Sequence, residues 1–220
     1  MRNISKEDYL SAIYKNIDSN SKVKANVIAE KMDVSNAAVT DMLKKLAKES
    51  LIIYEPYKTI KLTPTGESYA KNIVRRHRIW ELFLHQIVGL PWDKVHDEAE
   101  NLEHSGSDEL INRMEVMLNF PEFDPHGDPI PAIDGSIPKQ RDSVSLSKLK
   151  EKECGLVVRV NDFSQNFLVY LAQIGIELKQ KIEVKEIRSF DNSMLVLIAG
   201  NEFNISKTLA DNVFVEIVKN

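Results

Sequence analysis

Apolar residues recur at helical spacing through the first half of the chain and at strand spacing through its last third. Tyr9, Leu10, Ile13, Tyr14 and Ile17 make one helical stripe. Ser5, with Asp8 three residues on, resembles a capping box, so Asp8 is either the acid of that cap or something more. Val27, Ile28 and Met32 define a second helix over 24–32, and Val39, Met42, Leu43 and Leu46 a third over 36–48, with Ser35 as its N-cap. Leu51-Ile52-Ile53-Tyr54 and Ile60-Lys61-Leu62, around Pro56 to Thr59, predict a β-hairpin. Thr63-Pro64-Thr65-Gly66 then breaks the pattern and caps a long helix over 67–89.

Leu90-Pro91-Trp92 ends that helix, and further helices follow over 93–104 and 108–120. The last, with Leu110, Ile111, Met114, Met117 and Leu118, offers more apolar surface than a small domain needs, which suggests a subunit interface. Residues 119–142 hold five of the eight prolines and predict an irregular connector. Strand patterns over 154–160, 181–187, 194–198 and 213–217, with one short helix over 166–174, predict a small SH3-like β-barrel.

The architecture expected is therefore mainly α with a small β component. A winged helix-turn-helix DNA-binding domain spans 1–72, a helical metal-binding and dimerisation domain with its connector 73–142, and an SH3-like domain 143–220. Two short helices joined by a tight turn and followed at once by a hairpin are the winged-helix pattern. The second of them opens with small and polar side chains, Ser35, Asn36, Ala37, Ala38 and Thr40, that let a helix end approach base edges. Lys44 follows on the same helix, and Lys58 and Lys61 on the hairpin would reach the DNA backbone or else belong to a solvated wing.

The net charge of −4 argues against nucleic acid only until it is divided. Residues 1–76 carry 14 Lys+Arg against 9 Asp+Glu, or +5, and the rest carry 15 against 24, or −9. A basic front on an acidic body suits a protein of which one domain meets phosphate. No apolar run is long enough to span a membrane, no signal-peptide core follows Met1, and the single cysteine, Cys154, has no internal partner. A cytoplasmic setting follows as the default.

The chemistry concentrates between His77 and His104. His77 and Glu81 lie at i and i+4, and His96, Glu100, Glu103 and His104 at i, i+4, i+7 and i+8, so each set shares one helical face. Mixed imidazole and carboxylate donors suit Mn, Fe, Co or Zn. The competing explanation is a solvated charged face. It is weakened because His77, His96 and His104, three of the five histidines, each have a carboxylate four residues away. In the connector, Asp124 and His126 are two apart in Asp-Pro-His-Gly-Asp, a spacing that turn chemistry alone explains.

Taken together, the winged helix, the Arg76-His77-Arg78 helix, the Val95-His96-Asp97-Glu98-Ala99-Glu100…Glu103-His104 helix, the Pro125-His126-Gly127-Asp128-Pro129-Ile130-Pro131 loop and the barrel resemble the diphtheria toxin repressor family of metal-dependent transcription factors over nearly the full length. The resemblance implies a homodimer that binds palindromic double-stranded operator DNA when loaded with Mn(II) or Fe(II), with two metal sites per subunit and no small organic substrate. By the same resemblance, Asp8, His77, Glu100, Glu103 and His104 match the primary site and Glu81 the second. His96 matches a second-site ligand of iron-type members. Asp124 and His126 match residues that complete the second site in three-domain manganese repressors. Asp162 is the candidate barrel ligand, with Gln165 in reserve. Iron-type members have cysteine and methionine where this chain has Glu100 and Asp8, which points to the manganese branch, whereas Ser11 departs from the glutamate of two-domain manganese repressors. A di-metal carboxylate enzyme on a helical bundle is the rival of another class. It needs Glu-x-x-His motifs from two helices, and the chain has none.

Overall fold

A computed structural model describes residues 6–18, 23–56, 58–162 and 164–218. The chain divides into two compact units, Met1–Arg76 with Pro131–Ser136 and His77–Ile130 with Ile137–Asn220. The capping box expected at Ser5 lies outside the described residues.

In the first unit, α1 (Lys6–Asp18), α2 (Ala25–Met32) and α3 (Asn36–Lys48) bury Leu10, Ile13, Ile28, Val39, Leu43 and Leu46 together. Ser35 caps α3 as expected, its hydroxyl accepting from the Ala38 N–H at 3.2 Å. The expected hairpin shrinks to β1 (Ile52–Ile53) and β2 (Lys61–Leu62), in the register Ile52↔Leu62 and Ile53↔Lys61. Thr63 then starts α4 (Pro64–Phe83), and its hydroxyl accepts from the Gly66 N–H at 3.0 Å. The helix therefore begins three residues earlier than expected, with proline at its first position, where the missing N–H costs nothing. Gly66 is required there, because a Cβ would stand 1.8 Å from the Leu51 carbonyl oxygen.

α4 carries on into the second unit and closes in a π-helical turn over Leu84–Val88, which Gly89 ends at φ 82°. α5 (Val95–Leu102) and α6 (Asp108–Met117) are both shorter than their periodicity suggests. Glu103 is the C-cap of α5, so Glu103 and His104 lie past the regular helix that was to carry the whole stripe. α6 stops where Asn119 and Phe120 turn to φ 58° and 53°. Ile79, Leu82, Ile111, Met114, Leu118 and Ile130 form the helical core.

The barrel is a six-stranded antiparallel sheet of β3 (Val144–Ser145), β4 (Cys154–Val160), β5 (Lys181–Ile187), β6 (Met194–Ile198), β7 (Asn201–Ile205) and β8 (Val213–Val218), in the order β3-β8-β4-β5-β6-β7. α7 (Gln165–Gln173) is the expected short helix, whereas α8 (Lys207–Asp211) and the two edge strands β3 and β7 were not anticipated. The polar stretch Asn201-Glu202-Phe203-Asn204 becomes a strand because Ala199 and Gly200, at φ 47° and 85°, turn the chain back onto β6 in two residues. Trp92, from the segment between α4 and α5, is buried in the barrel core with Leu146, Val157 and Leu171. Among the described residues no helix is long and apolar enough to cross a membrane.

Candidate metal centre

Four segments of the second unit meet at Glu81: α4 itself, α5, the residues after β4 and the loop of His126. The helical period of α4 sets His77 and Glu81 on one face, and His77 Nε2 stands 3.0 Å from Glu81 Oε1. From α5, His96 Nδ1 meets the same oxygen at 2.9 Å and His77 Nε2 at 3.1 Å. From the barrel, Asp162, two residues past β4, brings Oδ2 to 3.9 Å from His96 Nδ1. Two overlapping groups result, His77 with Glu81 and His96, and Glu81 with His126 and Asp162; within each, the ligand-type atoms lie within 4.8 Å of one another.

The other face of His77 belongs to a second arrangement. Its Nδ1 lies 2.5 Å from Glu103 Oε2, and Glu103 Oε1 lies 3.3 Å from His104 Nε2. His96 Nε2 approaches Glu100 Oε1 at 3.5 Å. The resemblance placed His77 with the primary set alone, but here the ring joins both groups through its two nitrogens. Asp8 lies in the first turn of α1, in the first unit.

His126 reaches Glu81 because its loop is fastened to the bulge of β4. The Val160 N–H donates to the His126 carbonyl at 2.9 Å. Gly127, at φ 91°, packs so closely that a Cβ would stand 2.1 Å from the Val158 carbonyl oxygen. Val158 is the residue at which β4 slips register against β8. His126 Nε2 donates to the Trp92 carbonyl at 3.1 Å, which leaves Nδ1 the lone-pair nitrogen of the neutral ring, and Nδ1 is buried with no hydrogen-bond partner among the described residues. An open imidazole acceptor on a buried ring grouped with two carboxylates fits a divalent cation, whose ligands are neutral imidazoles and carboxylates.

Asp124 stands outside both ligand groups. Its Oδ1 accepts from the His126 and Asp128 N–H groups, each at 2.9 Å, and its Oδ2 faces Arg78 Nε at 3.4 Å. It therefore shapes the turn that presents His126. Arg78, which sequence reasoning passed over within Arg-His-Arg, also donates to the Pro129 carbonyl. Trp92, read from sequence only as part of a helix terminator, contributes the carbonyl that accepts from His126 Nε2. Gln165 opens α7 and is exposed.

The electrostatics of the cluster are those of a site that gathers negative charge. Burial works against the Glu81 carboxylate, but the charge of His77, hydrogen bonds from His77 and His96 and the charge of His126 hold its pKa well below the usual range. Asp124 goes the other way: burial, then the negative charges of Asp128 and Glu81, push it up to about 7 against the opposing Arg78 and His126. Glu81 is 1% and His126 0% exposed, so an unpaired charge on either would be costly.

On α3, Asn36, Ala37, Ala38 and Lys44 are exposed, whereas the Ser35 and Thr40 hydroxyls bond backbone groups, Thr40 donating to the Asn36 carbonyl at 2.8 Å. Lys44 Nζ lies 3.8 Å from Asp41, Lys58 Nζ lies 2.5 Å from Glu55, and Lys61 is exposed on β2.

A winged helix ahead of a buried imidazole–carboxylate cluster defines a metal-responsive DNA-binding regulator. Residues 3–60 match the N-terminal DNA binding domain of iron dependent repressors, 63–132 their metal binding and dimerisation domain, and 144–217 the FeoA domain. The HTH-type transcriptional regulator MntR of Bacillus pumilus is 37% identical over 116 residues, covering 53% of this chain and 80% of that protein. The diphtheria toxin repressor of Corynebacterium jeikeium is 34% identical over 128 residues, 58% of this chain and 53% of that relative's length. A solved manganese-dependent transcriptional repressor in complex with manganese superposes with a TM-score of 0.89 at 35% identity, over 97% of this chain and all of that one. The chain belongs to the diphtheria toxin repressor family of metal-dependent transcriptional repressors.

Proposed function

We propose that this protein is a Mn(II)-responsive repressor that binds palindromic operator DNA as a homodimer in the cytoplasm and controls genes of metal uptake. The donor set carries the reading: imidazoles and carboxylates around Glu81, a second arrangement around Glu103, and buried Cys154 assigned to neither ligand group. Hard oxygen donors suit Mn(II), although intrinsic affinity at such ligands runs higher for Fe(II). The names of similar solved structures, a manganese-dependent transcriptional repressor and a manganese regulator, support the same choice.

Two sites per subunit are proposed. One uses Glu81, His96, His126 and Asp162, and the other Glu100, Glu103, His104 and, by the resemblance, Asp8, with His77 adjoining both. A bound divalent ion would supply the positive charge that lets these carboxylates stay ionised while buried. The protein's part is to hold the ligands: α4 and α5 set the histidine–glutamate pairs, and the β4 bulge fixes His126. Asp8 belongs to the helix preceding the DNA-reading pair, so its engagement would bias the position of that pair. Moving such a switch from mostly off to mostly on takes about 5 kcal/mol of preference for the competent state.

Dimerisation is supported by apolar side chains left exposed on and beside α6, Leu110, Val116, Met117 and Phe120, with Ile87 and Val88 at the end of α4. The deciding experiment titrates metal-free protein on promoter DNA from its own genome with Mn(II) and, anaerobically, with Fe(II). Operator binding driven by Mn(II) and not Fe(II) is the expected result. Equal response would move selectivity from the ligands to the cell's metal pools. Binding indifferent to both metals and to chelator overturns the reading.

A further inference from the structure

The outward face of α3 carries a carboxylate at its centre. Val39, Leu43 and Leu46 are buried and define the inward direction. At about 100° per residue, Asp41 projects opposite them, on the stripe of Ala37, Lys44, Lys45 and Lys48, all exposed. The Asp41 side chain is 73% exposed, and its ion pair with Lys44 is long, at 3.8 Å. The alanine before it leaves room for close approach, and the lysines after it suit phosphate. A carboxylate at this point is repelled by phosphate and by every acceptor on a base edge.

We propose that Asp41 is a specificity-determining residue that reads a cytosine in each operator half-site, accepting a hydrogen bond from the base's N4 amino group. Cytosine presents a donor in the major groove. Guanine presents two acceptors, thymine an acceptor beside its methyl group, and adenine a donor flanked by the N7 acceptor. A lone acceptor side chain therefore favours cytosine and rejects guanine most strongly. The lysine stripe supplies the sequence-independent attraction that offsets the carboxylate's repulsion. The proposal rests on the repressor reading, with α3 in the major groove.

The test selects operators from a randomised duplex library with Mn(II)-loaded, full-length wild type, Asp41→Ala and Asp41→Asn. Wild type is expected to enrich cytosine at one position per half-site, with about a tenfold loss on replacing it. Asp41→Ala should lose the preference there, keep it elsewhere and bind unrelated DNA more tightly. Asp41→Asn should shift that position towards adenine, which asparagine pairs through N6 and N7. Unchanged thermal melting of the metal-free variants confirms that the fold is intact, since the side chain is exposed. Enrichment by wild type with identical preferences in both variants overturns the Asp41 assignment alone. Failure of wild type to enrich any sequence overturns the repressor reading and this proposal with it.

Discussion

His126 Nε2 donates to the carbonyl of Trp92 at 3.1 Å, and this one bond decides which nitrogen of the neutral ring keeps the lone pair that a cation held with Glu81 and Asp162 would need. The donor is a backbone-anchored ring and the acceptor a main-chain atom, so the tautomer does not depend on another ionisable group. Removing the ring should therefore weaken one metal site selectively. In His126→Ala, Mn(II) binding at the Glu81 site is expected to weaken about tenfold or more. Calorimetric titration should show that step weakened and the other retained. Two unaltered steps would remove His126 from the ligand set.

Gly127→Ala combines two costs. The Cβ would stand 2.1 Å from the Val158 carbonyl oxygen, and φ is 91°. Backbone strain alone costs about 1–3 kcal/mol, and the clash must push the loop off the β4 bulge. Denaturant unfolding of the metal-free variant should show a loss of about 2 kcal/mol or more, together with weaker Mn(II) binding. A stable variant that binds metal normally would mean the loop has another way to sit.

The buried Asp124 sets a pH dependence. Its pKa is raised from 3.8 to about 7, so between those values the native state holds a proton that the unfolded state releases. Stability of the metal-free protein from this group therefore falls as pH rises from about 4 to about 7. Asp124→Asn keeps the oxygen that accepts from His126 and Asp128, and should flatten that decline. Urea midpoints measured across the window in both proteins test this. Parallel curves would show that Asp124 does not titrate there.

Asp8→Met should leave Mn(II) binding around Glu81 intact and raise the Mn(II) concentration needed for operator binding, by about tenfold or more. Fluorescence anisotropy on operator DNA, against a metal titration without DNA, separates the two effects. An unchanged metal response in operator binding would remove Asp8 from the switch.

The legible part of the chain is the part governed by neighbours in sequence. The period of Val39, Leu43 and Leu46 gave α3, and the apolar runs of β4, β5 and β6 gave most of the barrel, whereas Thr63-Pro64 was read as a break and α4 was expected only from Glu67. His77 with Glu81 was readable because four residues along a helix is a contact in itself. The short edge strands β3 and β7 were not readable, because they hold few apolar residues and exist by pairing with β8 and β6.

By itself, then, the sequence determined α1 to α7, the barrel strands β4, β5, β6 and β8, the histidine–carboxylate pairs and the likeness to a family. Tertiary structure decided which pairs meet. It turned His77 to face both Glu81 and Glu103, directed Asp124 into its own turn and onto Arg78, and brought His126 and Asp162 to Glu81. The physical reason is that the deciding contacts, His77 with Glu103, Asp124 with Arg78, and His126 and Asp162 with Glu81, join segments far apart in the chain. They are set by the Gly127 packing, the β4 bulge and the Trp92 carbonyl, none of which leaves a local pattern.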